Sequence, residues 1–252
     1  MRFPLAGLAF VAATAALAQA PKRSGFEDMS PATQAMQRDD AANPGLFFAL
    51  DGKAAFARVE GAAGRSCADC HGADGGGLKG VAARYPAFDE RSGAPVDLAG
   101  RVEICRREHQ QAPAWPRESR PMLAMTAYLG LISRGAAMAP PDDPRLATAR
   151  ERGRALFTTR LGQLDLACAQ CHDDNAGRRL GGALIPQGHV NNYPAYRLEW
   201  QAVGSLQRRI RNCMTGVRAE PFPAGAAELI ELELWLAERS RGLPVETPSV
   251  RP

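Results

Sequence analysis

A chain of 252 residues is long enough for two domains of about 100–130 residues each, and 45% hydrophobic with 23% charged residues is a globular composition. A net charge of +4 is too small to argue for nucleic acid or a membrane surface as partner. Lys22, Lys53 and Lys79 are the only lysines among 31 basic residues; arginine suits oxyanions, but the bias alone assigns no role.

In chain order, Arg2, an apolar stretch from Leu5 to Leu17 and the small residues after it predict a secretory signal in residues 1–20. The cut falls after Ala18 or Ala20, and Ala18 is preferred because Pro21 would directly follow the later cut. No further stretch is apolar for long enough to span a bilayer, so the mature chain is expected in the periplasm without membrane insertion. Residues 21 to about 43 are polar without a period and read as a segment wrapping the surface. A helix is predicted from Asp51 to Glu60, leading into Cys67-Ala68-Asp69-Cys70-His71. Gly72, Gly75, Gly76, Gly77 and Gly80 follow, as suits backbone lying against a flat ring. After a lone cysteine, Cys105, a helix is predicted over 121–134. Proline sits in its first turn, Met122, Met125, Leu129 and Ile132 form a stripe, and Gly135 ends it. Residues 139–144 (Ala-Pro-Pro-Asp-Asp-Pro) are a linker. Cys168-Ala169-Gln170-Cys171-His172 comes next, then a second lone cysteine, Cys213. A last helix is predicted over 226–241, striped by Leu229, Leu232 and Leu236.

C-x-x-C-H is the signature of covalent c-type haem attachment: Cys67 and Cys70, or Cys168 and Cys171, add to the two vinyl groups, and His71 or His172 ligates the iron. One copy also fits a redox or zinc motif, whereas two copies in an exported chain point to two haem c groups. The copies belong to an internal repeat. Gly52 to Phe56 matches Gly153 to Phe157, and Cys67 matches Cys168, at an offset of 101. Tyr85-Pro86-Ala87-Phe88 matches Tyr193-Pro194-Ala195-Tyr196, and Cys105 matches Cys213, at 108. Ser133-Arg134-Gly135 matches Ser240-Arg241-Gly242 at 107. The second copy therefore holds about seven extra residues around Gly181, Gly182 and His189. The expectation is an all-α fold with few or no strands: a tandem repeat of two cytochrome c-like domains at 21–141 and 142–252.

The second axial position is open to several side chains. Met138 lies late in the first copy, Met214 adjoins Cys213, and His109 and His189 each occur in one copy only. Met122 and Met125 belong to a helix stripe. Cys105 and Cys213 could instead bridge each other, as cysteines do in an oxidising compartment. Their matched places in the repeat favour one task per copy, as iron ligands beside His71 and His172. Iron deprotonates a coordinated thiol, and the anionic sulfur favours the ferric state. If residues 205–214 are helical, Arg209 shares a face with Cys213 at i, i+4, and its guanidinium can form paired bonds to an oxyanion. The bland alternative is that Arg208, Arg209, Arg211 and Arg218 form a solvated basic face.

On both C-x-x-C-H motifs, both lone cysteines and the tail from Arg218-Ala219-Glu220-Pro221-Phe222 through Gly242-Leu243-Pro244-Val245-Glu246-Thr247-Pro248, the chain closely resembles the dihaem SoxA family. That family supplies the catalytic subunit of SoxAX cytochrome complexes in thiosulfate-oxidising bacteria, and the resemblance covers nearly the whole mature chain. It implies that Cys105 ligates an N-terminal haem and that Cys213 ligates a C-terminal, active-site haem, where the family carries a cysteine persulfide. Arg209 matches the family's active-site arginine. The implied activity is that of an L-cysteine S-thiosulfotransferase, which joins thiosulfate to a cysteine of a sulfur carrier, SoxYZ. Two electrons pass to SoxX, a small monohaem cytochrome, and onward to a downstream small cytochrome c. A thiosulfate dehydrogenase forming tetrathionate is the nearest rival. A plain dihaem electron carrier and a dihaem peroxidase follow, the latter needing an open iron site.

Overall fold

The computed structural model describes residues 21–252, so the leader predicted for residues 1–20 lies outside the described residues. Ser30 and Asn43 each accept a bond from an early amide and precede a proline, which starts α1 (Pro31–Arg38) and α2 (Pro44–Ala57). One turn, α3 (Ala68–His71), holds the first C-x-x-C-H. A hairpin of β1 (Ala87–Asp89) and β2 (Ala94–Val96) delivers the chain to α4 (Leu98–Cys105), and α5 (Arg120–Leu131) closes the unit. The second unit repeats this plan with α6 (Ala147–Thr158) and α7 (Cys168–His172). An extra hairpin, β3 (Arg179–Leu180) with β4 (Ala183–Leu184), follows. Then come the hairpin β5 (Ala195–Arg197) and β6 (Ala202–Gly204), α8 (Leu206–Gly216) and α9 (Ala227–Arg239). The tail strand β7 (Ser249–Arg251) pairs in parallel with β5.

The fold is mostly helical with one plan used twice, but the expectation of few or no strands is corrected. Seven short strands form three small sheets among the described residues. Runs of two or three residues are too short to show an alternation in sequence. The helix predicted from Asp51 starts earlier, at Pro44, because Asn43 supplies the cap.

In each unit the first and last helices cross: α2 on α5, and α6 on α9. Phe56 and Phe157, repeat equivalents, are buried at these crossings. Met122, Met125 and Leu129 of α5 correspond one for one to Leu229, Leu232 and Leu236 of α9, and all six are core. The changing offset has two local causes. Hairpin β3–β4 accounts for the shift from 101 to 108. A π-turn at Arg106–Gln110 then adds one residue to the first unit: Ala112 N reaches back to Arg106 O, whereas its equivalent, Ala219 N, reaches only to Met214 O.

The units are tied together. Backbone bonds from Gly135, Met138, Gly242 and Val245 zip the end of the first unit to the tail. The segment before α2, which includes α1, bonds to the second unit and to the tail. Asn43 Nδ2 donates to Pro248 O at 2.9 Å, and Arg23 N donates to Gln187 Oε1 at 2.9 Å. No helix among the described residues is long and apolar enough to cross a membrane.

Candidate active site

Each C-x-x-C-H motif is wound into one helical turn by the residues before it. Ser66 N donates to Asp69 Oδ2 at 2.8 Å and Asp69 N to Ser66 Oγ at 3.2 Å; in the second unit Ala167 N donates to Gln170 Oε1 at 2.8 Å. All six cysteines are unbridged. Burial pushes the Cys67 thiol up to about 11, with Cys105 adding to the effect; burial likewise pushes Cys168 up to about 11, with Cys213 adding. Each lone cysteine therefore sits in the electrostatic reach of its own unit's motif, and Cys105 and Cys213 do not meet.

His172 is set for a metal on its far nitrogen. Its Nδ1 lies 2.8 Å from the Pro186 carbonyl, which can only accept, so the proton is on Nδ1 and the Nε2 lone pair is free. Burial holds its pKa below the usual imidazole range, which keeps the ring neutral. Gly188, with φ of +73°, lies against the ring: a Cβ there would stand 3.0 Å from His172 Cγ. Two thiols one turn apart, a neutral imidazole with one free nitrogen, and a sulfur from another helix fit a covalently held haem. Pro186 and Gly188 follow the extra hairpin, already in the register of 108, where Gly188 at φ +73° corresponds to Gly80 at φ +71° in the first unit. The role of Pro186 is not legible in the sequence, because the partner of His172 is a backbone carbonyl, which has no residue signature.

Helix α8 carries the second lone cysteine. Ser205 caps it, accepting from Arg208 N at 3.0 Å, and Gln207, Ile210 and Met214 form its buried side. Cys213 and Arg209 lie one turn apart on another face, Cys213 exposed and Arg209 half-exposed. Arg209 bears electrostatically on both His172 and Tyr193, and Cys213 on Tyr193 and Cys168. The structure thus brings Cys168, His172, Arg209 and Cys213 together. The basic run is not one solvated face: Arg208 stacks on Trp200 at 4.2 Å, and Arg218 takes a left-handed φ of 58° where α8 ends. Arg209 Nη1 is 3.9 Å from Glu199 Oε1.

In the first unit Asp97 caps α4, accepting from Gly100 N at 2.8 Å, and Cys105 ends the helix. His71 and its neighbour Phe56 have ring centroids 6.5 Å apart. The alternative sulfur ligands are core. Met138 packs with Ala83, Ala237 and Val245 between the units, Met214 with Phe157 and Ile210, and Met122 and Met125 inside the first unit. His189 Nε2 meets Gln187 Oε1 at 3.2 Å. His109 lies in the π-turn.

A model of the SoxA/TsdA cytochrome c domain family matches residues 51–138 and again 152–245. The L-cysteine S-thiosulfotransferase subunit SoxA of Rhodovulum sulfidophilum is 37% identical over 229 residues, 91% of this chain and 80% of that protein. The subunit of the same name from Pseudaminobacter salicylatoxidans is 35% identical, over 90% of this chain and 80% of its own. A crystal structure of SoxXA from P. pantotrophus superposes with a TM-score of 0.87 at 35% identity, covering 91% of this chain and 86% of that one.

Proposed function

The chain belongs to the SoxA family of L-cysteine S-thiosulfotransferase subunits, and from that premise we propose which of its residues join thiosulfate to a carrier cysteine. Its two cytochrome c domains imply covalent haem c. Residues 21–141 and 142–252 would each hold one haem: Cys67 and Cys70 would attach the first, and His71 and Cys105 would ligate its iron. Cys168 and Cys171 would attach the second, and His172 and Cys213 would ligate its iron. Haem supplies a one-electron acceptor and a cation that favours a bound thiolate. The observation that carries the reading is Arg209 beside Cys213 on the open side of α8, next to His172.

Arg209 binds the sulfonate end of thiosulfate through charge-assisted bonds and orients its S–S axis. Its charge also offsets repulsion between two anionic sulfurs. Cys213, as thiolate, forms an S–S bond to the outer sulfur of thiosulfate as two electrons leave for a SoxX-like monohaem cytochrome and a downstream small cytochrome c. The thiolate of a SoxYZ-like carrier then attacks that sulfane sulfur. The carrier leaves with the thiosulfonate, and Cys213 departs as thiolate. A persulfide at Cys213 would present one more sulfur to the same chemistry. The reaction belongs in the periplasm, where the predicted leader would send the chain.

The test is Cys213→Ser. Carrier-dependent thiosulfate oxidation should vanish while covalent haem stays attached, and Arg209→Ala should cost roughly 10²-fold, the scale of one lost contact to a reacting anion. Full activity in Cys213→Ser overturns the mechanism. Tetrathionate formed from thiosulfate alone, without a carrier, would favour the dehydrogenase reading.

A further inference from the structure

The hairpin before each cysteine helix carries opposite charges in the two units. Asp89 ends β1, with Arg91 two residues on; Arg197 ends β5, with Glu199 two residues on. The helix arginines that follow are repeat equivalents, Arg101 and Arg209, each four residues before its unit's lone cysteine. In the first unit Asp89 is 4% exposed and accepts from Arg101 Nη2 at 2.9 Å, while Arg91 turns away to Glu108. Arg101 is thereby neutralised.

In the second unit the strand-end acid has become a base. Glu199 Oε1 lies 2.8 Å from Arg197 Nε and 3.9 Å from Arg209 Nη1. One oxygen faces two guanidiniums, and the short bond goes to Arg197. Arg197 is itself fixed in place. It lies on the middle strand of the β6–β5–β7 sheet, its side chain is only 12% exposed, and its guanidinium stands 5.2 Å from the Trp200 ring centre.

We propose that Arg197 is a positioning residue for the thiosulfate reaction: it retains Glu199 and so leaves Arg209 open to the incoming oxyanion. The inference rests on the reading of Arg209 as the sulfonate-binding residue. Two guanidiniums and one carboxylate leave a net positive charge for a dianion, whereas Arg101 and Asp89 cancel. The same Arg-x-x-x-Cys spacing thus yields an anion site in one unit and a structural ion pair in the other. A carboxylate bonded tightly to Arg209 would have to be displaced before sulfonate could bind, which costs affinity.

The experiment measures thiosulfate affinity calorimetrically on the haem-loaded protein without carrier, alongside kcat and KM with carrier. In Arg197→Ala, Glu199 is free to pair with Arg209. Kd and KM should each rise about tenfold, the scale of one competing charged contact. The kcat should stay within about twofold, and the ferric EPR spectrum should be unchanged. Arg197→Ala/Glu199→Gln should return Kd to within about twofold of wild type, because the competing charge is gone. Glu199→Gln alone should bind at least as tightly as wild type. Wild-type affinity in Arg197→Ala, or a double variant as weak as the single, overturns the proposal. Wild-type affinity in Arg209→Ala would remove the reading beneath it, so the two failures are distinguishable.

Discussion

Glu233, on α9, faces a cavity of about 110 Å³ between the units, lined also by Asp97, Arg117, Glu118, Gln207, Tyr85 and Tyr193. Burial, and after it the Asp97 carboxylate, push its pKa well above the usual carboxylate range, against the pull of Gln207 and Arg117. The folded chain therefore keeps a proton that the unfolded chain releases. The stability this contributes is fully present below the unfolded carboxylate pKa and is lost as pH rises through the raised folded value. Glu233→Gln removes the ionisation and keeps a hydrogen-bonding side chain. Between about pH 5 and pH 8, urea-unfolding stability of the wild type should fall more steeply with pH than that of Glu233→Gln. Parallel curves would show that Glu233 ionises freely in the fold.

Among the elements, the helix crossings show why a glycine recurs 101 residues apart. A Cβ at Gly52 would stand 2.0 Å from Ala124 O, and one at Gly153 would stand 1.9 Å from Glu231 O. Both helices pass backbone against backbone, and Ala124 and Glu231 are themselves repeat equivalents. At an exposed helical position, glycine to alanine would stabilise by about 1 kcal/mol. Here the sign reverses: Gly153→Ala must force α6 away from α9 and should cost about 3 kcal/mol, as overpacked cores do. Denaturant midpoints at unchanged m-value would measure it, and a gain in stability would mean that the helices do not touch there.

At the scale of the whole molecule, one buried carboxylate joins the two cysteine helices. Asp97 Oδ1 caps α4, while its Oδ2 accepts from Arg117 and, at 3.2 Å, from Gln207 of α8. Ser205, the cap of α8, donates to Glu118 of the first unit. The frame of α8 is therefore set partly by the other unit. The repeat also makes a prediction about loading. Intact mass of the periplasmic protein should show two haem additions that survive acid–acetone extraction, and a Cys67→Ala/Cys70→Ala variant should show one. A single addition in the wild type would leave one unit without haem and end the dihaem reading.

The sequence by itself determined what is local. C-x-x-C-H lies within one helical turn, the stripes of α5 and α9 follow the helical period, and the repeat is visible because equivalent residues keep fixed offsets. Arg209 could be placed beside Cys213 for the same reason, since i, i+4 is a property of any helix. The family resemblance drew on these same residues. The short strands leave no such local mark, because their pairing joins hairpin arms and a distant tail: Ala195 pairs with Gly204 on one side and with Ser249 on the other. Only the tertiary structure decided which arginine is engaged and which is open. Arg101 and Arg209 look alike in sequence, and the charge reversal at Asp89 and Arg197 gains meaning only once each hairpin lies against its helix. Charge-assisted bonds act at about 3 Å, so a difference of one ångström at Glu199, which sequence separation does not encode, separates a bonded guanidinium from an available one.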